Sequence, residues 1–245
     1  MLRILRTMAT YTPERATQLK EAYLVIANQV KQADPSGKVT LVAVLKLKPA
    51  SDIQALYDAG VRHFGENYPN ELVDKAQQLP QDIKWHFIGA LQLGNVNTLV
   101  KKIPNLYAIE TVDLLKKAKK ASALRQGQDK INVFLQYNTS GEEQKAGFTL
   151  VDEVVECVKW LQSDENTSLE LKGLMTIGLF EQSVLGEENK AFATLVDVKK
   201  QVDSLCGTDL DLSMGMSHDF VQAIAQGSTN VRVGSLIFGA RPPKN

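Results

Sequence analysis

Apolar positions along the chain follow two alternating rhythms, one of about 3.6 residues and one of two. A helical rhythm runs over residues 13–31, with Leu19, Tyr23, Ile26 and Val30 on one face. An apolar run over 39–46 follows it. Strand alternation puts Val42, Val44 and Lys46 on one face of that run and Leu41, Ala43 and Leu45 on the other. Both faces are apolar apart from the lysine, the pattern of a strand covered on both sides. Pro49 biases Lys48 to an extended conformation and ends the strand. Ser51 and Gln54 have the spacing of a capping box, opening a short helix that Gly60 stops. The alternation then repeats. Further strands are predicted over 62–66, 84–89, 106–110, 131–137, 171–177, 210–214 and 231–238. Helices are predicted after Pro69 and over 93–101, 112–125, 151–162, 187–205 and 218–225.

Strands alternating with helices build βαβ units and a parallel sheet. Eight such units within 245 residues predict a closed barrel. A doubly wound sheet that binds a dinucleotide would carry Gly-x-Gly-x-x-Gly after its first strand. Here that position reads Leu47-Lys48-Pro49-Ala50, with no glycine. No Pro/Gly/Ser linker, low-complexity tract or strong internal repeat divides the chain. The expectation is an α/β fold: a single (β/α)8 TIM barrel over residues 13–245 with an extra N-terminal helix, preceded by a flexible N-terminus at 1–12.

Composition then removes several function classes. Lys+Arg and Asp+Glu stand at 28 each, a net charge of zero, which argues against nucleic acid or an anionic membrane as the main partner. No run approaches the roughly 18 apolar residues of a membrane span. Cys157 and Cys206 fall in helical patterns without metal-type spacing, and read as free thiols in a reducing compartment. His63, His86 and His218 are too scattered for a zinc motif, so no metal is expected. Arg3 and Arg6, with no acid before Glu14, give residues 1–8 a weak likeness to a mitochondrial presequence. Met8 offers an alternative start, and the cytoplasm is the expected location.

The active site of a barrel lies at the C-terminal ends of its strands. Among the residues there, Lys46 is the one convincing nucleophile: desolvation favours a neutral amine, which attacks carbonyls to form a Schiff base. The plainer reading is a lysine reaching solvent at a strand end. Barrels often bind phosphate after their last two strands. Gly215-Met216-Ser217 reads as the opening of a helix, where amides and dipole suit an anion, although Ser217 alone also reads as a plain N-cap. Gly234 and Ser235 offer close backbone approach and a hydroxyl. Arg232, between Val231 and Val233, needs a partner: an internal acid such as Glu66, or the ring nitrogen of a ligand. Asn67 lines the pocket or satisfies a turn. His86 reads as a hydrogen-bonded strand histidine, His218 and Asp219 as first-turn helix residues, and Lys116, Lys117, Lys119 and Lys120 as a solvated helix face. A Schiff-base lysine, a phosphate cup and an arginine across the barrel suit pyridoxal 5′-phosphate (PLP).

The stretches Val44-Leu45-Lys46-Leu47-Lys48-Pro49, Phe64-Gly65-Glu66-Asn67-Tyr68 and Trp85-His86-Phe87-Ile88-Gly89 occur in order with Gly173-Leu174-Met175-Thr176-Ile177-Gly178 and Leu212-Ser213-Met214-Gly215-Met216-Ser217. Residues 227–234 and 237–241 complete the set. On these blocks the chain, from Val39 to Lys244, resembles the pyridoxal phosphate homeostasis protein family, single-domain relatives of the alanine racemase barrel, and most resembles its fungal members. The resemblance implies that Lys46 carries PLP, that Ser217, Gly234 and Ser235 hold its phosphate, and that Arg232 faces its pyridine nitrogen. Leu45, Leu114 and the stretch Leu93-Gly94-Asn95 depart from the family's more polar pattern. Racemases of this barrel type need a second base supplied with the help of a second domain, and this chain ends at Asn245. A cation at the ring nitrogen also weakens the ring as an electron sink. The implied function is therefore PLP binding in vitamin B6 homeostasis, as a carrier or regulator without efficient turnover. The partners are PLP and PLP-requiring apoenzymes, and the state is monomeric. The alternatives are a weak PLP-dependent amino-acid racemase and a cofactor-free Schiff-base aldolase.

Overall fold

The computed structural model describes residues 10–142, 144–178 and 188–240. Helix α1 spans Pro13–Ala33. There follow β1 (Thr40–Val44), α2 (Ala50–Asp58), β2 (His63–Glu66), α3 (Pro69–Gln78), β3 (Lys84–Phe87) and α4 (Leu93–Lys102). The middle of the chain forms β4 (Leu106–Val112), α5 (Leu115–Arg125), β5 (Ile131–Gln136), α6 (Val151–Gln162) and β6 (Leu169–Met175). The last part forms α7 (Lys190–Cys206), β7 (Asp211–Ser213), α8 (Phe220–Ala225), β8 (Asn230–Val233) and α9 (Ser235–Phe238).

The strands pair in parallel and in sequence order, and β8 returns to β1 to close the barrel. At this seam Thr40 stands beside Asn230 and Val42 beside Arg232. Strand alternation sorts the side chains into two layers. Ala43, Leu45, Phe64, Trp85, Ile109, Val231 and Val233 join the apolar layer under the helices. The opposite face of several strands turns polar residues inward, among them His86, Glu110, Ser213, Asn230 and Arg232. The two faces expected of the first strand are therefore present. Where β6 meets β7, a Cβ on Gly173 would lie 2.0 Å from the Asp211 carbonyl oxygen, so no side chain fits there.

Helix α1 lies against α2, α8 and α9. Thr12 caps it, accepting from the Arg15 amide, and Pro13 supplies a φ suited to the first turn. Leu19, Ile26 and Val30 are buried and Tyr23 packs beside them, as the helical rhythm predicts. Arg15 ties the helix down by pairing with Asp52 at 2.6 Å and donating to the Phe238 carbonyl. Among the described residues no helix is long and apolar enough to cross a membrane.

Several boundaries differ from the sequence expectation. Strand β1 stops at Val44, so Lys46 occupies the turn beyond it rather than the strand itself. Ser51 and Gln54 form no capping box. Pro49 holds the N-cap of α2 without a side-chain bond, and Gln54 instead donates to Asp58. Strand β8 ends at Val233, and residues 235–238 form a helical turn, not a strand. The backbone leaves the extended region at Gly234, and an apolar run this short fits either period. Helix α8 begins at Phe220, so Ser217 is not its N-cap and His218 lies outside its first turn; Asp219 takes the cap position. Residues 1–9, with the proposed presequence and most of the expected flexible terminus, lie outside the described residues, as does Arg241.

Candidate functional site

At the C-terminal mouth of the barrel, a cavity of about 510 Å³ is lined by Lys46, Asn67, Ser217, Arg232, Gly234 and Ser235, together with Val44, Ile88, Ile177, Met216 and His218. All six residues singled out from the sequence thus meet in one place, though they come from opposite ends of the chain. Lys46, Arg232 and His218 are basic, and among the described residues no aspartate or glutamate lines the wall. Such a wall selects an anionic ligand.

Lys46 is half-buried in the turn after β1, with its ammonium 5.8 Å from the centre of the Tyr68 ring. It pairs with no carboxylate among the described residues. Leu47, next to it, takes a left-handed backbone conformation (φ 64°), which costs a non-glycine residue about 1–2 kcal/mol. Strain of this kind concentrates where a turn must present a functional side chain. Lys48 points elsewhere, and its ammonium binds the Phe238 and Ala240 carbonyls, at 3.1 and 2.8 Å, behind the end of α9.

The wall carrying Asn67 is held from behind by Glu66. That carboxylate is fully buried, pairs with Lys75 at 2.6 Å and accepts from the amides of Asn67 and Tyr68. A Cβ on Gly89 would lie 1.9 Å from the Asn67 carbonyl oxygen, so this turn needs glycine beside it. The side-chain oxygen of Asn67 is buried with no hydrogen-bond partner among the described residues. A buried polar atom left without a partner is costly, and a ligand in the cavity would supply one.

On the opposite wall the Ser217 hydroxyl accepts from the Gly234 amide at 3.2 Å, joining the loops after β7 and β8. Ser235 opens α9; the amides of Ile237 and Phe238 bond the Gly234 carbonyl at 3.0 and 2.9 Å, and among the described residues those of Ser235 and Leu236 have no partner within the helix. The loop after β7 is less available to an anion than its sequence predicts. The Met216 amide is taken by the carboxylate of Asp219 at 2.6 Å. The polar cup therefore rests on the Ser217 and Ser235 hydroxyls and the start of α9, with the Gly234 amide itself held by Ser217.

Arg232 is almost wholly buried. Its partner is not Glu66, which Lys75 neutralises, but Glu110 on β4, 3.8 Å away. Its guanidinium also donates to the Ser213 hydroxyl and to the Thr176 carbonyl, the latter at 2.8 Å. Burial lowers the Arg232 pKa, opposed by Glu110 and Asp219. Glu110 is a buried acid behind the cavity that the sequence pattern did not single out. Burial alone would push its carboxyl up, but the hydrogen bond and charge of His86, the charge of Arg232 and the bond from Ser213 together hold it down at about 2. The signal was an acid between Ile109 and Thr111 in a mostly apolar strand. His86 is a hydrogen-bonded strand histidine, donating to Glu110 at 2.6 Å and meeting His63 at 2.9 Å. Among the described residues, no cluster of three or more histidine, cysteine or acidic side chains could hold a metal.

A closed barrel with a lysine after its first strand and a polar cup after its last two defines a class of protein. The family described as alanine racemase, N-terminal domain, matches residues 18–242. The pyridoxal phosphate homeostasis protein of Schizosaccharomyces pombe is 44% identical over 219 residues, covering 89% of this chain and 91% of the relative. A structure described as an unknown protein from Bifidobacterium adolescentis is similar, with a TM-score of 0.79 and 30% identity, covering 96% of this chain and 99% of that one. PipY of Synechococcus elongatus, solved with PLP bound, gives a TM-score of 0.76 at 29% identity, covering 91% of this chain and all of that one (100%). The chain belongs to the pyridoxal phosphate homeostasis protein family, within the alanine racemase N-terminal-domain class of barrels.

Proposed function

We propose that this protein binds PLP at the barrel mouth, as a Schiff base on Lys46, and serves in intracellular PLP homeostasis as a carrier or regulator. The observation that carries this reading is a single cavity. It joins a lysine, a hydroxyl-and-amide cup and a buried arginine, with no acid on its wall among the described residues. Bound PLP supplies an aldehyde that condenses with amines and a ring that withdraws electrons. Lys46 provides the amine. Ser217, Gly234 and Ser235 would hold the phosphate. Arg232 would face the ring nitrogen as a fixed cation and disfavour its protonation, which argues for holding the cofactor over turning over an amino acid. Asn67 offers from the facing wall a side-chain oxygen that has no partner among the described residues.

Release to PLP-requiring apoenzymes is the matching partner role, since the mouth opens outward from the barrel. A closed barrel has no free strand edge to recruit a second copy, which supports a monomer. Two free cysteines support a reducing compartment such as the cytoplasm. The test is titration of the purified protein with PLP beside Lys46→Ala, followed by incubation with L-alanine. The expected result is a visible absorption band in the wild type, its loss in the variant, and no scrambling of alanine. Lysine-dependent scrambling would favour a racemase instead, and no band would exclude PLP as the ligand.

A further inference from the structure

We infer that Glu110 is a positioning residue for the cofactor site, fixing Arg232 as a cation against the ring nitrogen through Ser213. The inference rests on the PLP reading above and assigns the role to a residue that does not line the cavity. Glu110 is fully buried and all its bonds lie inside the barrel. One carboxylate oxygen accepts from His86 at 2.6 Å and from Asn230 at 2.9 Å, and the other accepts from Ser213 at 2.6 Å. The Ser213 oxygen in turn accepts from Arg232 and, at 3.1 Å, from Asn230. Four strands, β3, β4, β7 and β8, thus converge on one anion whose bonds end at the arginine.

The charges around this centre are His86 and, behind it, His63 from β2, Arg232 from β8, and Asp219 from the loop before α8. Arg232 has one close acid partner, Glu110, among its ion pairs in the described residues. A buried guanidinium that loses its counter-charge is destabilised where it stands, and its long side chain can turn toward solvent. The ring nitrogen would then lose the cation that keeps it unprotonated. If Glu110 only supplied negative charge, with Arg232 held in place by other contacts, its removal would have the opposite effect. The local field would become more positive and the nitrogen harder to protonate.

The sign decides the matter, and it can be read without catalysis. The protein is loaded with PLP labelled with nitrogen-15 in the ring, and the ring-nitrogen shift is followed against pH by NMR. The inference expects the protonation midpoint in Glu110→Gln to rise by about one pH unit or more toward that of Arg232→Gln. Glu110→Asp, which keeps the charge, should restore most of the wild-type midpoint. An unchanged or lowered midpoint in folded Glu110→Gln would overturn the inference. Should Glu110→Gln fail to fold, Ser213→Ala decides: it breaks the bridge and leaves both charges, so a raised midpoint supports the role and an unchanged one refutes it. Wild-type protein that takes up no labelled PLP, or takes it up equally in Lys46→Ala, sinks the PLP reading and this inference with it.

Discussion

Lys46 and Lys48 are two residues apart and have opposite surroundings. Lys48 spends its charge on two backbone carbonyls at the end of α9, whereas Lys46 stands in the cavity beside Tyr68. The sequence marked Lys46 as a lysine ending an apolar run, but the acid that organises the barrel interior was not legible, because its partners lie on β3, β7 and β8. His63 carries a prediction of its own. Burial, with the charges of His86 and Lys84, lowers its pKa from 6.5 to about 3. The unfolded chain therefore takes up a proton first as pH falls, so the stability tied to neutral His63 is present above about pH 6.5 and is lost progressively toward pH 3. Glu110, held at about 2, adds a loss of the same sign at lower pH, between its ordinary 4.5 and 2. Allowing for the partial exposure of His63, urea unfolding should show about 1–2 kcal/mol less stability at pH 5 than at pH 7 from this group. His63→Gln should remove that difference; an equal slope in both proteins would show that the imidazole is not the source.

Helices and strands were legible where a single period dominates, as in α1 and α6, and less so where a short apolar run fits two periods. Residues 235–238 are the clear case: an exposed Leu236 beside buried Ile237 and Phe238 fits one helical turn as well as a strand end. Helix α5 shows what a cap contributes. Leu114 holds its N-cap position with no side-chain bond and is 49% exposed. Its extended backbone suits a capping residue, so Leu114→Ser should stabilise the protein by about 0.5–2 kcal/mol. Thermal unfolding checks this, and a lowered midpoint would mean that the leucine packs usefully. At the turn after β2 the constraint runs the other way. Gly89→Ala would drive a methyl into the Asn67 carbonyl, 1.9 Å from the ideal Cβ. It should cost at least about 2 kcal/mol and weaken PLP binding in titration. A folded variant with unchanged affinity would remove Asn67 from the site.

At the scale of the whole molecule, the count of strand–helix units and the absence of a glycine-rich turn were enough to expect the barrel. They could not give its filling. An inward-facing Glu110, Arg232, Asn230 and His86 look from sequence like isolated polar interruptions, and only closure of β8 onto β1 makes them one network under the cavity. That closure also brings Lys46 to Gly234 and Ser235, nearly two hundred positions away in the chain. The most direct test of Lys46 as the cofactor lysine is to add PLP, reduce with borohydride and map the labelled lysine by peptide mass spectrometry. The expected result is a pyridoxyl group on Lys46 alone, with Lys46→Ala unlabelled. A label on Lys48 or any other lysine, or one that survives in Lys46→Ala, would contradict it.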